Sequence, residues 1–182
     1  MTTYYLSDNA TGAHPNAVPG SNSNDGLSPS TPKRDMTNIV TENLVAGDQI
    51  LFAIGGAWQS TSPIVWQGIR ADAVNGDNPV VYGTYDPGTG TTGKPILRTT
   101  GSGSWVMVFG EYSDTPGRVH KGGFKVQGLC IDGNNAANIT GIRFWACQDW
   151  LTVEDCEVKN CHVGIDIYLA NLTGDLCKYV VI

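Results

Sequence analysis

Residues 124–132, Phe-Lys-Val-Gln-Gly-Leu-Cys-Ile-Asp, and residues 151–159, Leu-Thr-Val-Glu-Asp-Cys-Glu-Val-Lys, repeat one pattern that decides the fold. The apolar positions of the two copies coincide in four pairs: Phe124 with Leu151, Val126 with Val153, Leu129 with Cys156, and Ile131 with Val158. Apolar and non-core residues alternate along each copy. In the middle, two consecutive non-core residues interrupt the alternation: Gln127-Gly128 in the first copy and Glu154-Asp155 in the second. Because period-two alternation is typical of a strand with one buried face, each copy predicts two short strands joined by a bend.

The repeat continues on both sides of this stretch. Residues 141–144, Gly-Ile-Arg-Phe, align with residues 164–167, Gly-Ile-Asp-Ile, and a further partial copy begins at residue 179. The period is about 23 to 28 residues, and a unit of three short strands cannot bury its apolar face alone, so the units must stack. Stacking at about 4.8 Å between neighbouring strands predicts Asp132 beside Lys159 and Arg143 beside Asp166.

The composition also favours an all-β protein. The chain has 23 glycines and only 15% charged residues, where about a quarter is usual, which suits short strands and tight turns. A leucine-rich repeat would need a regular Leu and Asn pattern that is absent. A β-sandwich fits the strand density but leaves the aligned repeat unexplained.

Charge and cysteine usage exclude several partners. With a net charge of −6 and no Lys/Arg cluster, we expect no nucleic-acid binding, and the apolar runs are too short to insert into a membrane. The five cysteines lack CxxC spacing, which predicts reduced, buried thiols and neither a disulfide framework nor a metal site.

The chain divides into two predicted parts. Residues 1–47 are expected to form an N-terminal cap of one extended segment, a long loop and a short helix over residues 31–43, where Thr31 and Pro32 have the pattern of a helix start. Residues 48–182 carry the repeats. We expect them to continue beyond Ile182 or to be covered there by a partner, because an open strand edge promotes aggregation.

Five segments resemble the pectate-lyase-like right-handed parallel β-helix superfamily. These segments are residues 4–7, 24–32, 46–52, 55–58 and 78–83. The resemblance implies an all-β fold, a right-handed parallel β-helix solenoid of about four to five coils with an N-terminal capping loop and short helix. The superfamily includes secreted polysaccharide lyases and glycoside hydrolases as well as phage tailspikes, in which three β-helices usually associate side by side.

Three functions follow from this resemblance. The first residues lack the basic and apolar regions of a signal peptide, which favours a phage tailspike-like or virion-associated homotrimer that binds, and in some cases degrades, host surface polysaccharide. The protein would then be extracellular or virion-associated. The alternatives are a secreted polysaccharide lyase or glycoside hydrolase module and a purely structural β-helix subunit.

Two sets of side chains are candidates for a site. Alternation places Asp132 and Glu157 on the outer surface with Asp155 at a bend, and paired carboxylates serve glycoside hydrolysis or, with Ca²⁺, lyase chemistry. The alternative is surface ion pairs, since the arginine that a pectate lyase site requires among its carboxylates is missing. Trp145 and Trp150 lie in the turn between two coils and, with Arg143 and Lys159, form the candidate glycan surface, unless the rings serve packing alone.

Overall fold

The structure is a computed structural model that describes residues 1–8, 17–67, 78–88, 93–110, 123–145, 150–168 and 180–181. Strands account for all of its longer regular elements: β1 (Thr3–Leu6), β2 (Gln49–Ala53), β3 (Ala57–Ser60), β4 (Val65–Gln67), β5 (Val80–Tyr85), β6 (Ile96–Thr99), β7 (Trp105–Phe109), β8 (Phe124–Gln127), β9 (Cys130–Asp132), β10 (Thr140–Trp145), β11 (Leu151–Glu154), β12 (Glu157–Lys159), β13 (Val163–Tyr168) and β14 (Val180–Val181). A single 3₁₀ turn occupies Thr41–Asn43 within the described ranges. The protein is all-β, as its composition predicted.

The strands form three parallel sheets. Sheet A has the order β1-β2-β5-β8-β11-β14, sheet B the order β12-β9-β6-β3, and sheet C the order β13-β10-β7-β4. From β2 onward, successive strands enter sheets A, B and C in turn, so each strand pairs with the strand three places along the chain. We call each such set of three strands a rung: β2–β4, β5–β7, β8–β10 and β11–β13. This topology is consistent with a β-helical solenoid.

The register between rungs is the one that the repeat predicted. Phe124 pairs with Leu151 and Val126 with Val153 in sheet A, and Ile131 pairs with Val158 in sheet B. The predicted neighbours also pair: Asp132 with Lys159, and Arg143 with Asp166. Side chains of one face therefore form columns that run from rung to rung.

The inward columns make one apolar core. In sheet A, Ile50, Tyr82, Val126 and Val153 stack in register and are at most 5% exposed. Phe109 lies at the centre of an aromatic group, 5.0 Å from Phe144 and 5.3 Å from Phe124 between ring centroids. Burial of these rings and of the aliphatic side chains around them stabilises the stacking of the rungs.

The polar side chain of Gln67 enters this core and links the 3₁₀ turn to it. The Gln67 amide donates to the Thr41 carbonyl at 2.8 Å, and the Tyr82 hydroxyl donates to the Gln67 Oε1 at 2.5 Å. Gln67 is fully buried, so these hydrogen bonds offset the free-energy cost of removing its amide from water.

The short helix predicted over residues 31–43 is wrong, apart from its last three residues. The backbone of Lys33 bonds to β1 instead: its N–H donates to the Tyr5 carbonyl, and its carbonyl accepts from the Ser7 N–H. Asp35 then accepts from the Thr37 N–H, and Asn38 adopts a φ of 66°. Extended pairing and side-chain bonds to backbone thus replace the helical bonds that the apolar spacing suggested.

Asp132, which alternation predicted on the outer surface, is buried and 2% exposed, because Arg98 and Asn160 of the neighbouring rungs bond to its carboxylate. Cys130 is also 2% exposed. Cys130, Cys156 and Cys161 are free thiols, whereas Cys147 and Cys177 lie outside the described residues. No helix among the described residues is long and apolar enough to cross a membrane.

Candidate functional site

Each rung contributes one large aromatic side chain to the outer surface of sheet C. These are Trp66 from β4, Trp105 from β7, Trp145 from β10 and Tyr168 from β13, and we call this set the aromatic face. Successive ring centroids lie 6.5, 5.8 and 5.1 Å apart, with interplanar angles of 71° to 83°. Trp66 is 50% and Tyr168 is 41% exposed. The face therefore offers aromatic surface to solvent along all four rungs.

Strand alternation explains the positions of Trp66, Trp145 and Tyr168, whereas Trp105, at the start of β7, joins the face through its ring contacts with Trp66 and Trp145. In β10, Ile142 and Phe144 point into the core and are at most 1% exposed, which leaves Arg143 and Trp145 on the other surface. The next strand repeats the pattern with Asp166 and Tyr168 beside them. Val108 lies between Trp66 and Arg143 in the register of sheet C, pairs with both and is fully buried.

Arg143 occupies the middle of the aromatic face. Its guanidinium carbon lies 4.6 Å from the ring centroid of Trp145, 5.5 Å from that of Tyr168 and 5.6 Å from that of Trp105. Its Nη2 also forms an ion pair with the Asp166 carboxylate. Arrangements of this kind combine cation–π attraction with a charge-assisted hydrogen bond, so the rings are held in fixed positions.

The Nε of Arg143 is buried and has no hydrogen-bond partner among the described residues. An unpaired buried donor costs about 1–3 kcal/mol, unless the π faces of the surrounding rings compensate. Arg143 is therefore a packed, neutralised cation at the centre of the rings.

The sequence predicted only part of this face. Trp145 and Arg143 lie on it, whereas Lys159 is on sheet B, where its ammonium pairs with the Glu157 carboxylate at 3.0 Å. Trp150 immediately precedes β11 of sheet A and has a φ of 61°. Sequence reasoning missed Trp66, Trp105 and Tyr168 as members of the face. Extending the alignment of residues 141–144 with 164–167 by one position would have found Tyr168, which pairs with Trp145.

Asp132, a candidate catalytic residue, has all its acceptor positions occupied. Its Oδ2 accepts from the Arg98 Nε at 3.0 Å and Nη2 at 2.8 Å, and its Oδ1 accepts from the Asn160 amide at 2.9 Å and the Asn134 N–H at 2.8 Å. Burial acts to raise the pKa of Asp132, but the bonds from Asn160, Asn134 and Arg98 outweigh it and lower that pKa. Its contacts tie three neighbouring parts of the chain together.

Asp155 and Glu157, the other two candidates, each have their own cation. Asp155 pairs with Lys94 at 2.6 Å and Glu157 with Lys159 at 3.0 Å, and both carboxylates are largely exposed. A hydrogen bond from Lys159 and its charge lower the pKa of Glu157. The described residues contain no group of three or more His, Cys, Asp or Glu side chains suited to a metal ion. Catalysis by Asp132, Asp155 and Glu157 remains a prediction.

A cleft of about 450 Å³ lies between the N-terminal segment and β3. Arg34 and Asp35 line it and form an ion pair at 3.2 Å. Burial alone would raise the pKa of Asp35, but hydrogen bonds from Thr37, Asn22 and Arg34 lower it to about 2. Since these bonds already use both carboxylate oxygens, the cleft offers less binding potential than the aromatic face.

Fold and face together define an all-β protein of three parallel sheets with an aromatic outer surface. No family model matches the chain, and no curated protein matches it. Among solved structures it is similar to the GH136 lacto-N-biosidase from Eubacterium ramulus, as the selenomethionine derivative (TM-score 0.57, 16% identity, 92% of this chain and 30% of that chain) and as the native protein (TM-score 0.55, 15% identity, 98% and 30%).

A second solved structure, a rhamnogalacturonan lyase, aligns with a TM-score of 0.38 and 14% identity over 91% of this chain and 43% of that chain, which is too low for an argument. The chain spans 30% of the length of the lacto-N-biosidase. At 16% identity the likeness shows a shared fold alone. Both neighbours are carbohydrate-active enzymes by name.

Proposed function

We propose that this protein binds polysaccharide, such as a cell-surface glycan, through the aromatic face. The observation that carries the proposal is the supply of one aromatic ring by each rung around the central Arg143. Trp and Tyr combine an apolar surface with a polar edge, which suits the apolar faces and hydroxyl groups of sugar rings. A glycan that runs along the stack would meet a ring at every rung.

Binding has more support than cleavage. Glycoside hydrolysis uses two carboxyl groups that flank the bond to be broken. The strands of sheet C carry a single carboxylate, Asp166, and Arg143 already pairs with it. The similarity to a lacto-N-biosidase supports a carbohydrate-related role, but it extends over only 30% of that enzyme.

The finer proposals concern the fold and the assembly. We propose that the chain forms a right-handed parallel β-helix with residues 1–47 as its cap, within a phage tailspike-like or virion-associated assembly of three chains. The support for the β-helix is the order of the three sheets, in which, from β2 onward, each strand pairs with the strand three places along the chain. The support for the assembly and for the extracellular or virion-associated location is the sequence resemblance.

The test of glycan binding is a comparison of single-ring variants. The intact protein is screened against an array of bacterial and plant polysaccharides, and the dissociation constant of a retained glycan is measured for Trp66→Ala and Tyr168→Ala. Each variant should bind roughly five- to tenfold more weakly, since an aromatic contact contributes about 1 kcal/mol. Both side chains are half-exposed, so little stability should be lost.

The matched control is Trp150→Ala, which removes a tryptophan outside the aromatic face. This control should bind as the unchanged protein does. Equal losses in all three variants would mean that the face is not the binding site, and loss in Trp150→Ala alone would move the site to the start of β11 in sheet A.

A further inference from the structure

We propose that the ligand of the aromatic face is a neutral glycan, and that Asp166 sets this preference by neutralising Arg143. This inference rests on the proposed function and names its substrate class. The strands of sheet C contain one cation and one anion, Arg143 and Asp166, and the two are paired with each other.

An acidic sugar would meet unfavourable electrostatics on this face. A uronate carboxylate that approached Arg143 would lie beside the Asp166 carboxylate, which already accepts from Nη2. The remaining guanidinium surface is in contact with three rings, and the Nε is buried. The like charge of Asp166 thus opposes the one attraction that the face could offer to an anion.

The other described cations give an acidic glycan no alternative. Five of them form ion pairs with carboxylates: Arg34 with Asp35, Lys94 with Asp155, Arg98 with Asp132, Lys125 with Glu154, and Lys159 with Glu157. The remaining one, Lys33, is buried and donates to the Asn24 carbonyl at 2.8 Å. Within the described ranges, then, no cation faces solvent without a carboxylate partner, and the whole chain carries a net charge of −6.

The decisive variant is Asp166→Asn. It removes the internal counterion and leaves Arg143 among its rings, so the guanidinium can pair with a ligand carboxylate. We expect affinity for an acidic glycan to rise by about tenfold or more, because a charge-assisted hydrogen bond replaces a repulsion. Affinity for a neutral glycan should change by less than about threefold, since its contacts are with the rings.

Glu154→Gln is the matched control. It changes the net charge by the same amount and also frees a cation, Lys125, but on sheet A. We expect no gain in acidic-glycan binding from this variant. A gain equal to that of Asp166→Asn would show that overall charge, and not the aromatic face, determines the preference.

The experiment is calorimetric titration of the three proteins with oligosaccharides of both classes. The probes are neutral oligomers of glucose and of N-acetylglucosamine, a galacturonate oligomer of equal length, and any glycan that the array retains. The unchanged protein should bind a neutral probe and not the galacturonate. Preference for the galacturonate would overturn this inference while supporting the proposed function, and binding to no glycan of either class would overturn both.

Salt dependence keeps the test valid if Asp166→Asn fails to fold. Neutral-glycan binding by the unchanged protein should be the same at low and high ionic strength, because screening weakens only interactions between charges. A steep fall in affinity with added salt would reveal an ionic contact to the ligand and would contradict the inference.

Discussion

At Asp132 a charged side chain serves as an internal tie between rungs. Its oxygens accept bonds from Arg98 on β6, from Asn160 after β12 and from the backbone of Asn134. The repeat predicted Lys159 as its neighbour, and the register confirms that position, but Lys159 pairs with Glu157. Sequence reasoning could not predict Arg98 as the partner, since the rung that contains β6 departs most from the repeat.

These contacts predict a loss of stability in Asp132→Asn. The bonds from Arg98 to the carboxylate are lost or weakened while the site stays buried, so the free energy of unfolding should fall by about 1–3 kcal/mol at neutral pH. Urea denaturation measures this change. Glu157→Gln is the control with the same change of charge at an exposed position, and it should cost less than about 1 kcal/mol.

The cost of Asp132→Asn should also depend on pH. Because the folded state lowers the pKa of Asp132 from its ordinary value of 3.8, its carboxylate stabilises the fold above that value. The stabilisation is lost as pH falls through the folded-state pKa, so the two proteins should converge in strongly acidic solution. A variant as stable as the unchanged protein at neutral pH, but unable to cleave a glycan, would favour the catalytic role instead.

Among the elements, strands were easier to predict than the helix. Strand alternation has a period of two, and the aligned repeat supplies independent evidence for the same strands. The register of β8 with β11 and of β10 with β13 could therefore be predicted. The helical spacing over residues 31–43 occurs once in the chain, so no repeat supports it. There, extended pairing of Lys33 with β1 gives a better set of backbone bonds than a short helix would.

The close approach of β10 to the next rung predicts different costs for two matched glycines. A Cβ on Gly141 would lie 2.6 Å from the Gly164 carbonyl oxygen and 2.8 Å from Val158 Cγ1, whereas a Cβ on Gly164 would meet only Val158 Cγ1 at 3.7 Å. We expect Gly141→Ala to lower the free energy of unfolding by about 1–3 kcal/mol, as overpacking usually does.

Gly164→Ala should change stability by less than about 1 kcal/mol, because alanine at a compatible position mainly restricts the unfolded chain. Chemical denaturation of the two variants side by side tests this contrast. Equal stability of the two would mean that the strands of sheet C are further apart than the structure has them.

For the whole molecule, the aromatic face forms only when four rungs stack in register, because each rung supplies one of its rings. Trp66, Trp105, Trp145 and Tyr168 are up to 102 residues apart in the chain, from position 66 to position 168, and become neighbours only through the stack. The sequence revealed Trp145 and Arg143 because they lie in the clearest repeat. The first two rungs are irregular in length, so their tryptophans could not be aligned without the sheets.

The proposed assembly predicts a mass of three chains in solution. Light scattering of the intact protein measures it, and Trp66→Ala should leave the mass unchanged if the aromatic face binds glycan and not another chain. A monomer would contradict the tailspike-like proposal. A trimer that dissociates in Trp66→Ala would show that the aromatic face is the contact between chains.

The central claim is that the aromatic face binds glycan. Its most direct test is a calorimetric titration of a retained glycan into the unchanged protein and into Trp145→Ala. Trp145 contacts Trp105, Tyr168 and Arg143, so its loss should disorganise the face and weaken binding by about tenfold or more. Circular dichroism and thermal melting establish that the variant remains folded. An unchanged dissociation constant in a folded Trp145→Ala protein would contradict the account and place the glycan elsewhere.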